Sequence, residues 1–458
     1  MSNSVFTHSQ DQLKQLAQDV LRYAREKGAS HAVVEINEGQ GLSVGVRRGK
    51  IDTIEQNKDK GMGVTVYLGE KGQDRGPMRR GDANTTDFSR ESLQAAVDAA
   101  YNIARFTSAD DCAGLPEPDT LEMHPRDLKL CHPWRITTEE AVELALRAEA
   151  AAFAVDKRIT NSDGAGVYAQ QSHFVNANTH GFIGGYAHSR HTLSVSPIAG
   201  KGAGMQRDDW YTSQRNARDM ATPEAVGRYA AERALARLNG RKLDTRKCPV
   251  LFEAPLAAGL LGAYVQATSG GALYRKSSFL VDSLGKQVFP AHIEILEDPH
   301  VIGAVGSAPF DDEGVKTQKR DVVKNGVVQG YFLSTYSGRK LGMKTTGNAG
   351  GSHNLKLLSS QTKKSDDFKA MLKKLGTGLF VTDLMGQGVN YVTGDYSRGA
   401  SGYWVENGEI QYPVEEITIA GNMKEIFKQI VAVGADTLIR GTKETGSVLI
   451  ESMTVAGN

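Results

Sequence analysis

A helix, four strand-like segments and a second helix follow one another before residue 110, and that order leaves few ways to bury their apolar faces. Ser9 is placed to cap the first helix. Leu13, Leu16, Val20 and Ala24 form its apolar stripe, and Gly28 ends it. Strand-like segments follow at His31–Asn37, Leu42–Arg47, Ile51–Gln56 and Gly63–Leu68. Arg48-Gly49 reads as a tight hairpin turn, and Val44 and Val46 share one strand face. Asp87 or Ser89 then opens a helix that buries Leu93, Val97 and Tyr101. The order predicts a two-layer α/β region built on an antiparallel sheet, within a chain of α+β class.

The stretch Thr107–Pro133 is rich in proline and acidic residues and lacks periodicity, as a connector does. Thr137 with Glu140 makes a capping box for a helix through Leu144, Ala148, Ala151 and Val155. Segments rich in Val, Tyr, His and Phe from Gly166 to Trp210 read as long antiparallel strands. Thr222-Pro223 starts another helix and Gly240 stops it. The basic run Arg241–Lys247 leads into a strand, Cys248–Phe252, and then a helix in which Pro255 suits the first turn and Gly270-Gly271 ends the run after Ser269. Asn325-Gly326 and Asn407-Gly408 are hairpin signals. Further helices are predicted at Asp366–Leu375 and Asn422–Val433, the latter with Asn422 and Glu425 as a capping-box pair. The division expected is an α+β domain over 1–110, a connector over 111–135, a helix and antiparallel-strand region over 136–240, and a mostly β, barrel-like domain over 241–458.

Composition narrows the function classes. The 458 residues carry 50 glycines, above the roughly 7% norm, and no repeat period, which points to many tight turns. A formal net charge of +1 argues against a global preference for nucleic acid or anionic membrane. Cys112, Cys131 and Cys248 show no paired spacing for zinc or a disulfide framework. The start, Met1 to His8, lacks the regions of a signal peptide, and no apolar run approaches the ~20 residues of a membrane span. The expectation is a soluble, cytoplasmic protein.

Among the histidines, His188 and His191 lie on a predicted strand, where a spacing of three sends them to opposite faces and argues against a shared metal. His292 and Glu294 share a face but lack a third ligand. Asp311, Asp312 and Glu313 do not match a calcium loop and read as a solvated turn before the strand at Val322. The loop Gly270–Ser277 lacks the glycine before lysine that a phosphate loop needs. Its Ser269, Ser277 and Ser278 hydroxyls and the Arg275 fork suit a peptide surface instead, with an unliganded turn as the alternative. In Val389–Ile410, Gly394, Gly399 and Gly402 allow close backbone approach, and Asp395 and Ser397 could share a face. That rim fits gripping an extended peptide by its main chain, or else a barrel corner that glycine makes possible.

The run Ser269–Leu280, the segment Thr393–Ser397 and the ending Gly446–Gly457, together with the strand set Ser43–Gly69, resemble the TldD/PmbA family of peptidases, most closely its PmbA (TldE) branch. In catalytic members a His-Glu-x-x-x-His helix binds zinc. The resemblance places Gly262, Ala263 and Ala267 at the first His, the Glu and the second His, and none of these can bind metal or move a proton. Between Ala254 and Leu280 there is no His, Asp, Glu or Cys at all. The resemblance therefore implies a subunit without catalytic residues or a metal of its own, paired with a zinc-bearing TldD-type subunit, or pairing with itself when alone. It implies unfolded peptides as substrates, peptide maturation as a role, and Arg275, Ser277, Ser278, Asp395 and Ser397 as peptide contacts. One alternative is an autonomous peptidase using His353 with groups near Asp395. Another is a binding protein that modulates DNA gyrase.

Overall fold

In the computed structural model, residues 5–70 and 76–457 are described; Met1–Ser4, part of the start read above for a leader, lie outside them. Helix α1 (Gln10–Glu26) opens on a capping box, with Ser9 Oγ accepting from the Gln12 N–H and the Gln12 side chain accepting from the Ser9 N–H. Leu13, Ala17, Val20, Leu21 and Ala24 are its buried stripe, and Gly28 reverses the chain at φ +95°. The four predicted strand segments are two long strands, β1 (His31–Arg47) and β2 (Lys50–Leu68), joined at Arg48-Gly49 with φ of +53° and +71°. The buried Glu149 carboxylate accepts both turn N–H groups, at 2.8 and 2.7 Å. The polar stretch around Glu38–Gly41 does not break β1, because strands pair with it on both sides and satisfy its backbone.

Strand β3 (Arg79–Thr85), absent from the sequence reading, pairs with the end of β2. Its Gly81 lies against α2 (Arg90–Phe106), where a Cβ would sit 2.1 Å from the Ala100 carbonyl oxygen. Ser89 caps α2, and Asp87 in turn holds the Ser89 N–H and hydroxyl and the Ser92 hydroxyl. The capping box at Thr137 opens α3 (Thr138–Phe153). Its buried stripe is Ala141, Ala145, Ala148 and Ala152, one step round from the predicted stripe, with Leu144 and Val155 only partly buried. The cause is α4 (Pro223–Ala236), which packs so closely that a Cβ on Gly227 would meet the Ala148 carbonyl at 2.0 Å. Helix α4 stops at Ala236, and Asn239 rather than Gly240 takes the left-handed conformation.

Strands β4 (Ile159–Asn178), β5 (Ile183–Gly184), β6 (Ala187–Ala199), β7 (Gln206–Arg207) and β8 (Trp210–Gln214) complete an antiparallel sheet ordered β3-β2-β1-β4-β6-β7, with β5 on β4 and β8 on β6. Val34, Ile36, Val44 and Val46 alternate along β1 toward one face; α1 and α2 cover half of it and α3 and α4 the other half. The opposite face carries Glu35, Asn37, Asp59, Ser172 and His188 toward the C-terminal region.

That region runs β9 (Arg246–Phe252), α5 (Ala254–Ala267), α6 (Gly270–Tyr274), β10 (Ile293–Glu297), β11 (Arg320–Lys324), β12 (Val327–Val328), α7 (Thr335–Lys340), β13 (Leu355–Ser359), α8 (Phe368–Leu375), β14 (Gly378–Met385), β15 (Asp395–Glu406), β16 (Glu409–Asn422), α9 (Met423–Lys428), β17 (Ile430–Val433), β18 (Leu438–Arg440), β19 (Lys443–Thr445) and β20 (Val448–Ala456). Strands β16-β15-β14-β9-β20 close into a barrel because β20 pairs back onto β16. The order β12-β11-β10-β13-β19-β18 forms a second sheet, and α5 supplies Leu260, Leu261, Tyr264 and Ala267 to the core between them. Both asparagine–glycine hairpins form, at β11–β12 and β15–β16. The predicted Asn422–Val433 helix ends at Lys428: Ile430–Val433 pairs with β20, and Asn422 caps through the Lys424 N–H without a capping box.

Candidate functional site

Helix α5 ends at Ala267, where the Thr268 hydroxyl donates to the Tyr264 carbonyl, so the glycine pair does not end it. Gly270-Gly271 instead open α6, and Gly270 lies so close to α7 that a Cβ there would strike Ser337 Oγ at 2.1 Å. Ala263 and Ala267 belong to the hydrophobic core. Gly262 lies at its margin, where a Cβ would stand 3.8 Å from Lys443 Cε. The Lys443 ammonium has no hydrogen-bond or ion-pair partner among the described residues, and burial alone lowers its pKa. A side chain with no donor, two methyl groups facing the core and a cation opposite do not fit a zinc ion, which needs N, S or O ligands.

The two segments singled out in the sequence meet in space. The Phe279 N–H donates to the Tyr391 carbonyl at 2.7 Å, and Gly394, at φ +88°, lies against the Phe279 ring. Arg275 is exposed, stacks its guanidinium 5.1 Å above the Tyr274 ring and donates to the Tyr274 hydroxyl. The Ser277 hydroxyl donates to the Ala272 carbonyl at 3.3 Å. Ser278 is buried, its hydroxyl turned inward to the Ala267 carbonyl and accepting the Leu280 N–H. Along β15, Asp395 and Ser397 point outward on either side of the buried Tyr396. Thr393 and Asn422 donate to the Asp395 carboxylate and hold it below the usual range. The Ser397 hydroxyl has no partner among the described residues. Gly402 sits at a bulge where a Cβ would meet the Phe380 carbonyl at 1.9 Å, so close packing in the barrel demands that glycine.

A cleft of about 780 Å³ separates the bare face of the N-terminal sheet from the loops at 305–312 and 349–353. Sequence reasoning missed it, although the register set by the Arg48-Gly49 turn carries a signal. Gly39 and Gly41 face Asp59 and Asn57, and a Cβ on either glycine would meet the opposite side-chain oxygen at 2.6 Å. The glycines thus let those polar side chains fold over β1. In the same cleft His188 Nε2 lies 2.9 Å from Ser172 Oγ, and burial, with the charges of Arg215 and His173, pushes the imidazole down to about 4. His191 sits on the opposite face, bonded to the His132 carbonyl. His292 bonds Ser359 and the Ile430 carbonyl.

The acidic run at 311–313 is solvated only in part: Asp312 is exposed and Glu313 half-buried, but Asp311 is not solvated. Asp311 is 3% exposed, and its carboxylate accepts the N–H groups of Glu313, Val315 and Ala349 at 2.9, 2.9 and 3.0 Å. Burial, then the Glu313 charge, raises it to about 7. Ala349 arrives from a distant loop, so no local pattern announces the burial. His353 lines the cleft too, its N–H donated to Glu297 and its Nε2 3.0 Å from the Gly347 carbonyl. Asp395 lies on the barrel rim with Thr393 and Asn422, so the fold does not bring it into the cleft with His353.

Models of the PmbA/TldA metallopeptidase domain 1, central domain and C-terminal domain match residues 32–104, 131–238 and 245–457. The chain is 47% identical over 426 residues to Metalloprotease PmbA of Escherichia coli O157:H7, covering 93% of this chain and 92% of that one. It is 44% identical to the Metalloprotease PmbA homolog of Haemophilus influenzae, covering 100% and 99%. A crystal structure from Bacteroides thetaiotaomicron, described as a candidate modulator of DNA gyrase, superposes with a TM-score of 0.89 at 25% identity over 97% of this chain and 99% of that one. TldE from Thermococcus kodakarensis shares the fold, with a TM-score of 0.82 at 19% identity over 96% and 100% of the two chains. The chain belongs to the PmbA/TldD metallopeptidase family, in its PmbA branch.

Proposed function

We propose that this protein is a PmbA-type subunit that carries no catalytic metal of its own and completes a peptidase with a zinc-bearing TldD-type subunit. The observation that carries this reading is the set Gly262, Ala263 and Ala267: Ala263 and Ala267 are packed into the core, and Gly262 meets the unpaired Lys443 cation. TldD homologs among the relatives supply a partner class of the right kind. The chain's own contribution is to hold unfolded peptide, with Arg275, Ser277 and Ser397 near the barrel rim and the polar cleft as candidate contacts, Asp395 framing the rim loop, and Ser278 supporting the loop from within. Among the described residues no helix is long and apolar enough to cross a membrane, in keeping with a cytoplasmic assembly.

The test compares the purified chain with its mixture with a TldD-type subunit, reading bound zinc by elemental analysis and cleavage of an unfolded peptide. Activity and zinc should follow the partner. Stoichiometric zinc and robust cleavage in the isolated chain would overturn the proposal.

A further inference from the structure

A second groove, of about 680 Å³, runs between the central region and the outer wall of the barrel and shares no residue with the polar cleft. Trp210 of β8 and Tyr229 of α4 form one side; Phe368, Phe380, Tyr403 and Tyr412 form the other. Phe380 and Tyr403 are cross-strand partners on β14 and β15, and α8 lays Phe368 over Phe380 with ring centroids 5.0 Å apart. Trp210 and Tyr229 meet edge to face at 4.6 Å. These walls are held by the chain's own packing. The Trp210 indole N–H and the Tyr403 and Tyr412 hydroxyls make no hydrogen bond among the described residues, and none of the three is sealed from solvent.

Two strand edges open onto the same groove. Successive residues of a strand point to opposite faces, so consecutive lining residues mark an edge and not a face. Ile410, Gln411, Tyr412 and Pro413 of β16 are such a run. Strand β15 pairs with one side of this stretch. On the other side β20 reaches only Thr418–Ala420, and Arg241 bonds only Pro413 and Glu415. The main chain at Ile410–Tyr412 is therefore open on that side among the described residues. Asp436, Thr437 and Leu438 line the groove at the start of β18, which ends its sheet and pairs with β19 alone. An open strand edge is a template for another extended chain.

The charge in the groove is one-sided. Asp208, Glu232, Glu253 and Asp436 line it against a single guanidinium, and Arg233 spends its donors on Glu253, Asp208 and the Thr382 carbonyl. Glu232 has no partner among the described residues, and Asp436 is bonded only to Ser447. Arg241 and Arg440 stack on the Tyr412 and Trp210 rings at the margin and line none of the groove. A volume in the range of small-ligand pockets takes a few residues of one chain, not the face of a folded subunit.

We propose that this groove binds an extended segment of polypeptide, its main chain paired to the open edge of β16, its apolar side chains on the aromatic rings and a basic side chain against Glu232 and Asp436. The inference rests on the peptide-holding reading above and gives it a substrate class: segments that mix aromatic and basic residues.

The experiment is calorimetric titration of the full chain with N-acetyl-Phe-Ala-Lys-Ala-Phe-amide and three relatives: alanine for both phenylalanines, glutamate for the lysine, and a backbone N-methylated form. It is repeated on Tyr229→Ala and Glu232→Lys. Tyr229 is 41% exposed and Glu232 lies on the surface, and unchanged circular dichroism confirms that both variants fold. The parent peptide should bind wild type about tenfold or more tightly than the alanine or N-methylated forms, and Tyr229→Ala should lose about tenfold, the size of one aromatic anchor. Glu232→Lys should reverse the preference for the lysine peptide over the glutamate peptide. Binding that neither variant changes overturns the groove and leaves peptide holding intact elsewhere. Undiminished binding of the N-methylated form overturns the pairing to β16. A dimer of the chain that Tyr229→Ala dissociates in sedimentation assigns the groove to a second copy and overturns the proposal. Binding of no peptide at all overturns both readings.

Discussion

Glu38 offers a quantitative test of how the sheet anchors the first helix. Its side chain is 9% exposed and gathers the segment that leads into α1: Oε1 accepts the Thr7 N–H at 2.6 Å, and Oε2 accepts the His8 N–H at 3.0 Å. Oε2 also lies 3.1 Å from His8 Nδ1 and 3.5 Å from His173 Nε2, and Phe6 stacks on the His173 ring. Burial by itself would push the carboxyl upward, but the Thr7 and His8 bonds outweigh it and hold Glu38 at about 2, against an ordinary 4.5. A carboxyl depressed on folding stabilises the native state fully above its unfolded pKa and loses that contribution as pH falls through the folded value. The gap corresponds to ~3 kcal/mol at neutral pH, about 1 kcal/mol near pH 3, and nothing below 2. Glu38→Gln keeps one acceptor oxygen but turns an amide N–H toward the backbone donors, so most of this is lost. Amide hydrogen exchange across Thr7–Leu13, compared between variant and wild type at the same pH, should accelerate between about thirty- and a hundredfold at pH 7. The ratio should shrink to a few-fold near pH 3. A ratio below threefold at pH 7, or one independent of pH, would refute the reasoning.

Arg320→Ala leaves Glu297, 1% exposed, without the guanidinium that donates to it at 2.7 Å, and should cost ~3–5 kcal/mol. Because Glu297 also holds Asn348 and the His353 N–H, peptides of the 349–353 loop should exchange faster in that variant than those of the distant α2; uniform exchange would count against the link. Gly81→Ala forces α2 away from β3 and should lower the thermal midpoint, at a cost of ~1–3 kcal/mol. An unchanged midpoint would mean that the close approach is not real. Lys443, whose pKa is lowered by burial, opposes folding while protonated, so its penalty fades as pH rises through the folded value toward 10.5. Lys443→Met should therefore stabilise the chain at pH 7 and flatten that alkaline gain in thermal scans; a destabilised variant would contradict the unpaired-cation description.

Features decided within a few residues were legible from the chain alone. The Ser9 and Thr137 caps, the Arg48-Gly49, Asn325-Gly326 and Asn407-Gly408 turns and the β-rich C-terminal region depend on contacts between near neighbours, and such contacts are written in local residue order. So was the chemistry missing from Gly262, Ala263 and Ala267, since a side chain without a donor cannot coordinate a metal in any fold. Tertiary structure decided the rest. Pairing on both sides made β1 one long strand, and α4 rotated the buried stripe of α3. Sheet pairing converted the end of a predicted helix into β17, and the close approach of Ser337 demanded glycine at Gly270. Lys443 reached Gly262, Ala349 covered Asp311, and Glu35 met Asp312 only because segments more than 30 residues apart folded together. Burial and unpaired charge are properties of that assembled neighbourhood, and no stretch of sequence carries them.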